Sequence, residues 1–171
     1  FKTQWTKGYR FRKNSEGQEE RTELTRFFSP AYLQVGVGLY WKKNKDLWVN
    51  MAPFTGRLIM VNRFFTDNLQ DSKQYFGVKK GETSRFELGA SIRSFFKFEL
   101  LENVFVSNRI SLYSDYLDNP ANIDLDYTIN TEMKINKYLT TNLIIQFIYD
   151  HNSVKRLQVR EVMGIGLSLD I

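Results

Sequence analysis

The stretch "NIDLDYTINTEMKINKY", residues 122–138, sorts its side chains by parity. Ile123, Leu125, Tyr127, Ile129, Met133 and Ile135 fall on odd positions, and Asp124, Asp126, Thr128, Asn130, Glu132, Lys134 and Asn136 on even ones. A helix turns about 100° per residue and would scatter both sets around its axis. A strand sends successive side chains to opposite faces, so this stretch reads as a strand with one apolar and one polar face. Nothing else in the chain narrows its fold as much.

The same period recurs from end to end. In "AYLQVGVGLYW", Ala31, Leu33, Val35, Val37, Leu39 and Trp41 oppose Tyr32, Gln34, Gly36, Gly38 and Tyr40. In "RFELGASIRSFFKFE", Phe86, Leu88, Ala90, Ile92, Phe96 and Phe98 oppose Arg85, Glu87, Gly89, Ser91, Arg93, Lys97 and Glu99. "TNLIIQFIYD" and "REVMGIGLSLDI" repeat the pattern, the latter with Met163, Ile165, Leu167, Leu169 and Ile171 on the apolar side. The reading gives eight strands, at 1–12, 31–42, 46–62, 83–99, 103–117, 122–136, 140–150 and 157–171. In "DLWVNMAP", Pro53 marks a strand end, an edge or a bulge, because proline cannot donate to a ladder. Many of these strands reach the roughly 9–11 residues that cross a bilayer when tilted.

An all-β fold of this kind can turn its apolar face inward, as a soluble barrel does, or outward toward lipid. No segment approaches the roughly 20 apolar residues of a membrane helix, which excludes a helical membrane protein and leaves a strand-based one open. The connections favour lipid. Short turns at "KNKD", "LLEN" and "NKYLT" alternate with long polar segments at 13–30 and 63–82, as periplasmic turns alternate with extracellular loops in outer-membrane barrels. Aromatic residues make up 15% of the chain, with nine Tyr and fourteen Phe, a supply suited to strands and interfacial girdles. The expectation is one domain over 1–171, an antiparallel up-and-down transmembrane β-barrel in a bacterial outer membrane, with more strands if N-terminal ones precede Phe1.

The polar face then lines an interior. Arg85, Glu87, Arg93, Lys97, Arg109, Asp124, Asp126, Glu132 and Lys134 are expected there, from neighbouring strands. Eight strands leave an interior filled by side chains, and buried ions are tolerated only in pairs. Arg93 and Arg109 are therefore expected against carboxylates. Two function classes follow: a structural or interaction barrel belonging to a larger outer-membrane assembly, or a porin-like channel for small solutes. The expected partners are membrane lipid and other outer-membrane proteins. A net charge of +5 without any Lys/Arg block gives no footprint for nucleic acid.

Catalytic signals are thin. His151, the single histidine, lies in "YDHNSVKR", beside Asn152 and Ser153. A triad gathers groups that converge in space, whereas adjacent residues of a strand diverge, so Asp-His-Asn-Ser reads as a turn and a hydrolase ranks third. Asp124 and Asp126 share a face but have cations nearby to offset them. "DNPAN" reads as a turn, and "APFTGR" lacks the spacing of a phosphate loop. Without cysteine there is no disulfide or thiolate metal site, and neither a metal nor a cofactor is expected. Phe27, Phe28, Phe64, Phe65, Tyr75 and Phe76 cluster where the two long segments join strands. They read as an upper aromatic girdle or loop packing, or as a surface for a partner.

Several segments resemble a family of Bacteroidetes outer-membrane β-barrel proteins known as a domain of unknown function. "KTQW", "GYRF", "FFSPAYLQVGVGLYW", "APFTGRLIMV", "YFGV", "LGASI", "LYSDYL", "KINKYLT", "IYDHN" and "VREVMGIGLS" carry the resemblance, in order along nearly the whole chain. It implies an exported barrel and further N-terminal sequence. It implies no activity. Such chains usually end in an aromatic residue, where this sequence ends in Ile171.

Overall fold

The computed structural model describes residues 2–14, 17–71, 73–152 and 154–167. Its elements are β1 (Lys2–Thr3), β2 (Gly8–Lys13), β3 (Glu19–Thr25), β4 (Ala31–Asn44), β5 (Leu47–Met60), a one-turn helix α1 (Arg63–Thr66), β6 (Ser84–Leu101), β7 (Val104–Asp115), β8 (Ile123–Lys134), β9 (Leu139–Asp150) and β10 (Val154–Leu167). β1 and β4 to β10 form an eight-stranded antiparallel sheet in the order β1-β4-β5-β6-β7-β8-β9-β10, and β2 pairs with β3 in a separate hairpin. The fold is all-β. The expected residues Phe1, Ser153, Ser168, Leu169, Asp170 and Ile171 lie outside the described residues.

The long strands match the alternation, but the first expected strand does not. Residues 1–12 divide into β1, which pairs Lys2 with Tyr32 and Thr3 with Ala31, and β2, which leaves the main sheet. The segment 13–30, expected as a loop, supplies β3. The hairpin's pairing places Tyr9 opposite Glu23 and Phe11 opposite Arg21. The Arg21 guanidinium lies 3.5 Å from the centre of the Tyr9 ring. Charged residues alternating through "EERTELT" disguised a strand that buries little. In 63–82 the Asn62 side chain accepts from the Phe64 N–H and caps the single turn α1.

Two compact units make up the chain. The first comprises Phe1–Val35 and Gly56–Glu87. Its centre is apolar: Ile59, Val61 and Val78 are buried together, and Tyr32, Tyr75 and Phe76 pack on them. A tight turn brings Phe76 into place. Tyr75 and Val78 exchange both backbone hydrogen bonds, and Phe76 and Gly77 both have positive φ, the geometry of a type I′ hairpin turn. Glycine enters that region freely and phenylalanine does so at a cost.

The second unit comprises Gly36–Thr55 and Leu88–Ile171. From β6 to β10 the ladders are regular apart from register shifts between Glu99 and Leu101 and between Val154 and Gln158. On one face Arg93 pairs with Ser111, Ser111 with Asp126, Asp126 with Ile148 and Ile148 with Gln158. On the other, Ile92 pairs with Leu112, Leu112 with Leu125 and Leu125 with Tyr149. The strands approach closely where Gly38 and Gly89 lie. A Cβ on Gly38 would come within 2.1 Å of the Met51 carbonyl oxygen, and one on Gly89 within 1.9 Å of the Ser114 carbonyl oxygen. Neighbouring backbone, not crowded side chains, demands these glycines.

Pro53 sits inside β5 at a change of parity. Ala52 and Thr55 are both buried, while Phe54 between them is 68% exposed. One extra residue is accommodated there, as in a β-bulge. The Thr55 hydroxyl donates to the Ala52 carbonyl at 2.9 Å, and the Tyr116 hydroxyl donates to the Pro53 carbonyl at 3.0 Å. Both bonds satisfy groups that an irregular ladder would otherwise leave open.

Candidate functional site

The polar face of β6, β7 and β8 carries the charges expected there. Register places Arg93, Lys97, Arg109, Asp124, Asp126, Glu132 and Lys134 on one side of the second unit. Their contacts differ from the expected salt-bridged interior. The Arg109 guanidinium, expected against a carboxylate, lies 5.9 Å from the centre of the Phe95 ring. Lys97 and Lys134 approach one ring, Phe105, at 5.1 and 5.3 Å. Asp126 accepts from the Gln146 amide at 2.8 Å, and Asp124 from the His151 N–H at 3.3 Å. Among the described residues, Lys97, Arg109, Glu132 and Lys134 form no ion pair. Phe95, an aromatic among the polar positions Arg93, Lys97 and Glu99 of β6, is the ring that receives Arg109 and stacks on Trp48 at 6.0 Å. Tyr40 meets Trp48 at 5.9 Å, extending the aromatic row on the same face.

Arg85 and Glu87 belong to the first unit and are paired. Glu87 is fully buried, with Arg57 and Arg85 at its carboxylate. The Arg85–Glu87 separation is 3.2 Å, and Arg85 also donates to the Gly77 carbonyl at 3.3 Å. Arg57 was not legible as a partner. Unbroken alternation through Pro53 would put it on the apolar face; the bulge brings it to the polar one.

The six loop aromatics all belong to the first unit, and they make two runs of ring contacts. Phe64 meets Phe65 at 5.2 Å, Phe65 stacks on Tyr75 at 4.6 Å, and Tyr75 meets Phe76 edge-on at 4.7 Å. Phe27 contacts Phe28 at 5.6 Å and Trp5 at 5.7 Å. Arg26, absent from the sequence expectation, lies 4.0 Å from the Phe64 ring centre and 5.3 Å from that of Phe65. Its Nε bonds Glu23 at 2.7 Å, which holds the Glu23 carboxyl below the usual carboxylate range. The Tyr75 hydroxyl donates to the Leu24 carbonyl at 2.6 Å, and burial pushes its pKa up to about 12. Tyr75 and Phe76 are thus packing residues, whereas Trp5, Phe27 and Phe64 stay more than half exposed.

His151 occupies the turn between β9 and β10, where the Asn152 N–H bonds the Asp150 side chain at 2.9 Å. Its Nδ1 lies 3.3 Å from the Tyr149 hydroxyl. That is the Asx-turn chemistry the sequence suggested. "DNPAN" likewise forms a turn, closed by the Asn122 N–H on the Asn119 carbonyl.

No protein-family model, no curated protein and no solved structure matches this chain.

Proposed function

We propose that this chain forms part of the wall of a bacterial outer-membrane β-barrel, a non-enzymatic structural or interaction component with membrane lipid against its apolar face. The supporting observation is an inverted pattern of burial. In the second unit, Thr55, Ser91, Asn108 and Asp115 are buried, while Val37, Leu39, Met163, Ile165 and Leu167 are each more than 70% exposed. A sheet built for water buries its large aliphatic residues and exposes its polar ones. Lipid reverses that preference. The resemblance noted in the sequence points the same way, and the turn-and-loop asymmetry supports an extracellular place for the long segments 13–30 and 63–82. An arginine scan tests the reading. Ile129→Arg or Ile145→Arg is expected to cost about 2–4 kcal/mol of folding free energy in liposomes, and Asn130→Arg clearly less. Equal costs on both faces would refute the lipid assignment.

A second reading, a channel for small solutes, gains from the polar face. Ionic groups that lack ionic partners suit open water better than a sealed plug. Single-channel recording of the full-length protein in planar bilayers separates the two. Steps of conductance whose ion preference changes on Arg109→Ala favour the channel, and silent bilayers favour the structural role.

A further inference from the structure

On the polar face of the second unit, a group of hydrogen-bond donors has no acceptor. Arg109 pairs in register with Phe95 on one side and Thr128 on the other. Its diagonal neighbours are therefore Arg93 and Lys97 on β6, and Asp126 and Asn130 on β8. Diagonal positions on one face lie about 7–8 Å apart, within reach of long side chains. Asp126, the one carboxylate in that set, accepts instead from the Gln146 amide at 2.8 Å. Arg109 and the half-buried Lys97 rest against the rings of Phe95 and Phe105. Among the described residues, neither cation's side chain forms a hydrogen bond or an ion pair. Ser111 follows Arg109 on the same face of β7, and its hydroxyl and that of Thr128 are likewise unbonded on half-buried residues.

We propose that Arg109 and Lys97, with the hydroxyls of Ser111 and Thr128, form a binding site for a soluble phosphate-class oxyanion. The proposal rests on the lipid assignment above, which turns this face away from hydrocarbon and toward water. Two cations this close repel each other, and a carboxylate already bonded to a neutral amide offsets that only in part. One tetrahedral oxyanion brings negative charge and several acceptors to the same place. Arginine offers a planar fork for two of its oxygens, and lysine a point charge for a third. The Phe95 and Phe105 rings restrain the two cations without neutralising them, which leaves both charges for a ligand. On the wall of a channel, the same groups would favour anions over cations.

Inorganic phosphate is the probe, titrated by calorimetry into the full-length folded protein in a neutral detergent. Saturable binding is expected, with sulfate competing and chloride at equal ionic strength failing to compete. Arg109→Gln and Lys97→Gln should each weaken it about ten-fold, the loss of one charge-assisted bond. Lys43→Gln removes the same charge from an exposed position near the end of β4 and should leave binding unchanged. Because Arg109→Gln and Lys97→Gln relieve repulsion, their unfolding temperatures in phosphate-free buffer should equal or exceed the parent's. A fall would make the two cations packing residues and overturn the proposal. Absent binding, binding that chloride matches, or equal weakening by Lys43→Gln would also overturn it. Dihexanoyl phosphatidic acid binding far more tightly than phosphate would assign the site to a lipid headgroup and overturn the soluble-ion form. Ile145→Arg, measured in liposomes as above, keeps the two readings apart. If it destabilises while phosphate does not bind, only the anion site fails. If phosphate binds as expected and Ile145→Arg costs nothing, the site stands and the lipid reading fails.

Discussion

The two units solve burial in opposite ways. The first packs Ile59, Val61 and Val78 into an apolar centre and leaves its hairpin strands open to solvent, as a water-soluble protein would. Among the described residues of the second unit, the buried side chains are Ala52, Thr55, Ser91, Val106, Asn108, Tyr113 and Asp115. No leucine, isoleucine or phenylalanine is among them. On the proposed reading, one chain obeys two solvents: where water surrounds an element, apolar residues gather inside, and where hydrocarbon does they line the outside.

The largest expected effect breaks the one fully buried charge among the described residues of the first unit. Glu87→Leu leaves Arg57 and Arg85 without the carboxylate between them. It should cost about 3–5 kcal/mol in urea unfolding. Asp126→Leu in the second unit, where the carboxylate is half-exposed and bonded to a neutral amide, should cost about 1 kcal/mol. Similar costs for the two would erase the distinction between a sealed and an open polar face.

Next comes the apolar centre. Ile59→Ala should lose about 2–4 kcal/mol through a cavity that its neighbours fill only in part. Val37→Ala, at a side chain 76% exposed, should change stability by no more than about 0.5 kcal/mol in detergent. Thermal unfolding of both variants under one set of conditions makes the comparison. A large loss at Val37 would mean that its face is packed against protein.

How far the sequence revealed this contrast depended on where alternation held. β8 and β9 were legible because few residues interrupt their parity, Thr131 in one and Ile144 and Ile148 in the other, and one-residue slips would reverse both faces. β5 was legible only up to Pro53. The bulge there reassigns Thr55, Arg57 and Ile59, so both the Arg57–Glu87 pair and the first unit's core escaped a reading by twos. β3 escaped because its pattern is charge rather than hydrophobicity, and charge on a two-stranded hairpin records solvent on both sides. The mixed-charge cluster on the polar face was legible as a set of residues. That Phe95 and Phe105 would receive its cations was not, since in sequence both look like lapses in alternation. Phe27, Phe28, Phe64, Phe65, Tyr75 and Phe76 were recognisable as one group, yet only structure divides them into the half-buried Phe65, Tyr75 and Phe76 and the exposed Phe27, Phe28 and Phe64.

A smaller effect sharpens the same division within the first unit. Tyr75→Phe removes the hydrogen bond to the Leu24 carbonyl and should cost about 1 kcal/mol. Because the folded pKa is raised above 10, Tyr75 contributes its stability in full below pH 10 and loses it as pH climbs from 10 to about 12. Unfolding measured across that window should show a fall in stability that Tyr75→Phe makes shallower. At the acid end the sign is opposite. Glu23, lowered by Arg26, contributes above its unfolded pKa and loses that contribution as pH falls through its folded one.

The central claim is that the apolar face of the second unit meets lipid. The chain has no cysteine, so a single introduced one carries an environment-sensitive fluorophore to one chosen place. Ile145 and Gln146 are adjacent on β9 and point to opposite faces. After reconstitution into bilayers containing brominated lipid, a probe at Ile145→Cys should be strongly quenched and one at Gln146→Cys only weakly. Equal quenching, or stronger quenching at Gln146→Cys, would contradict the account.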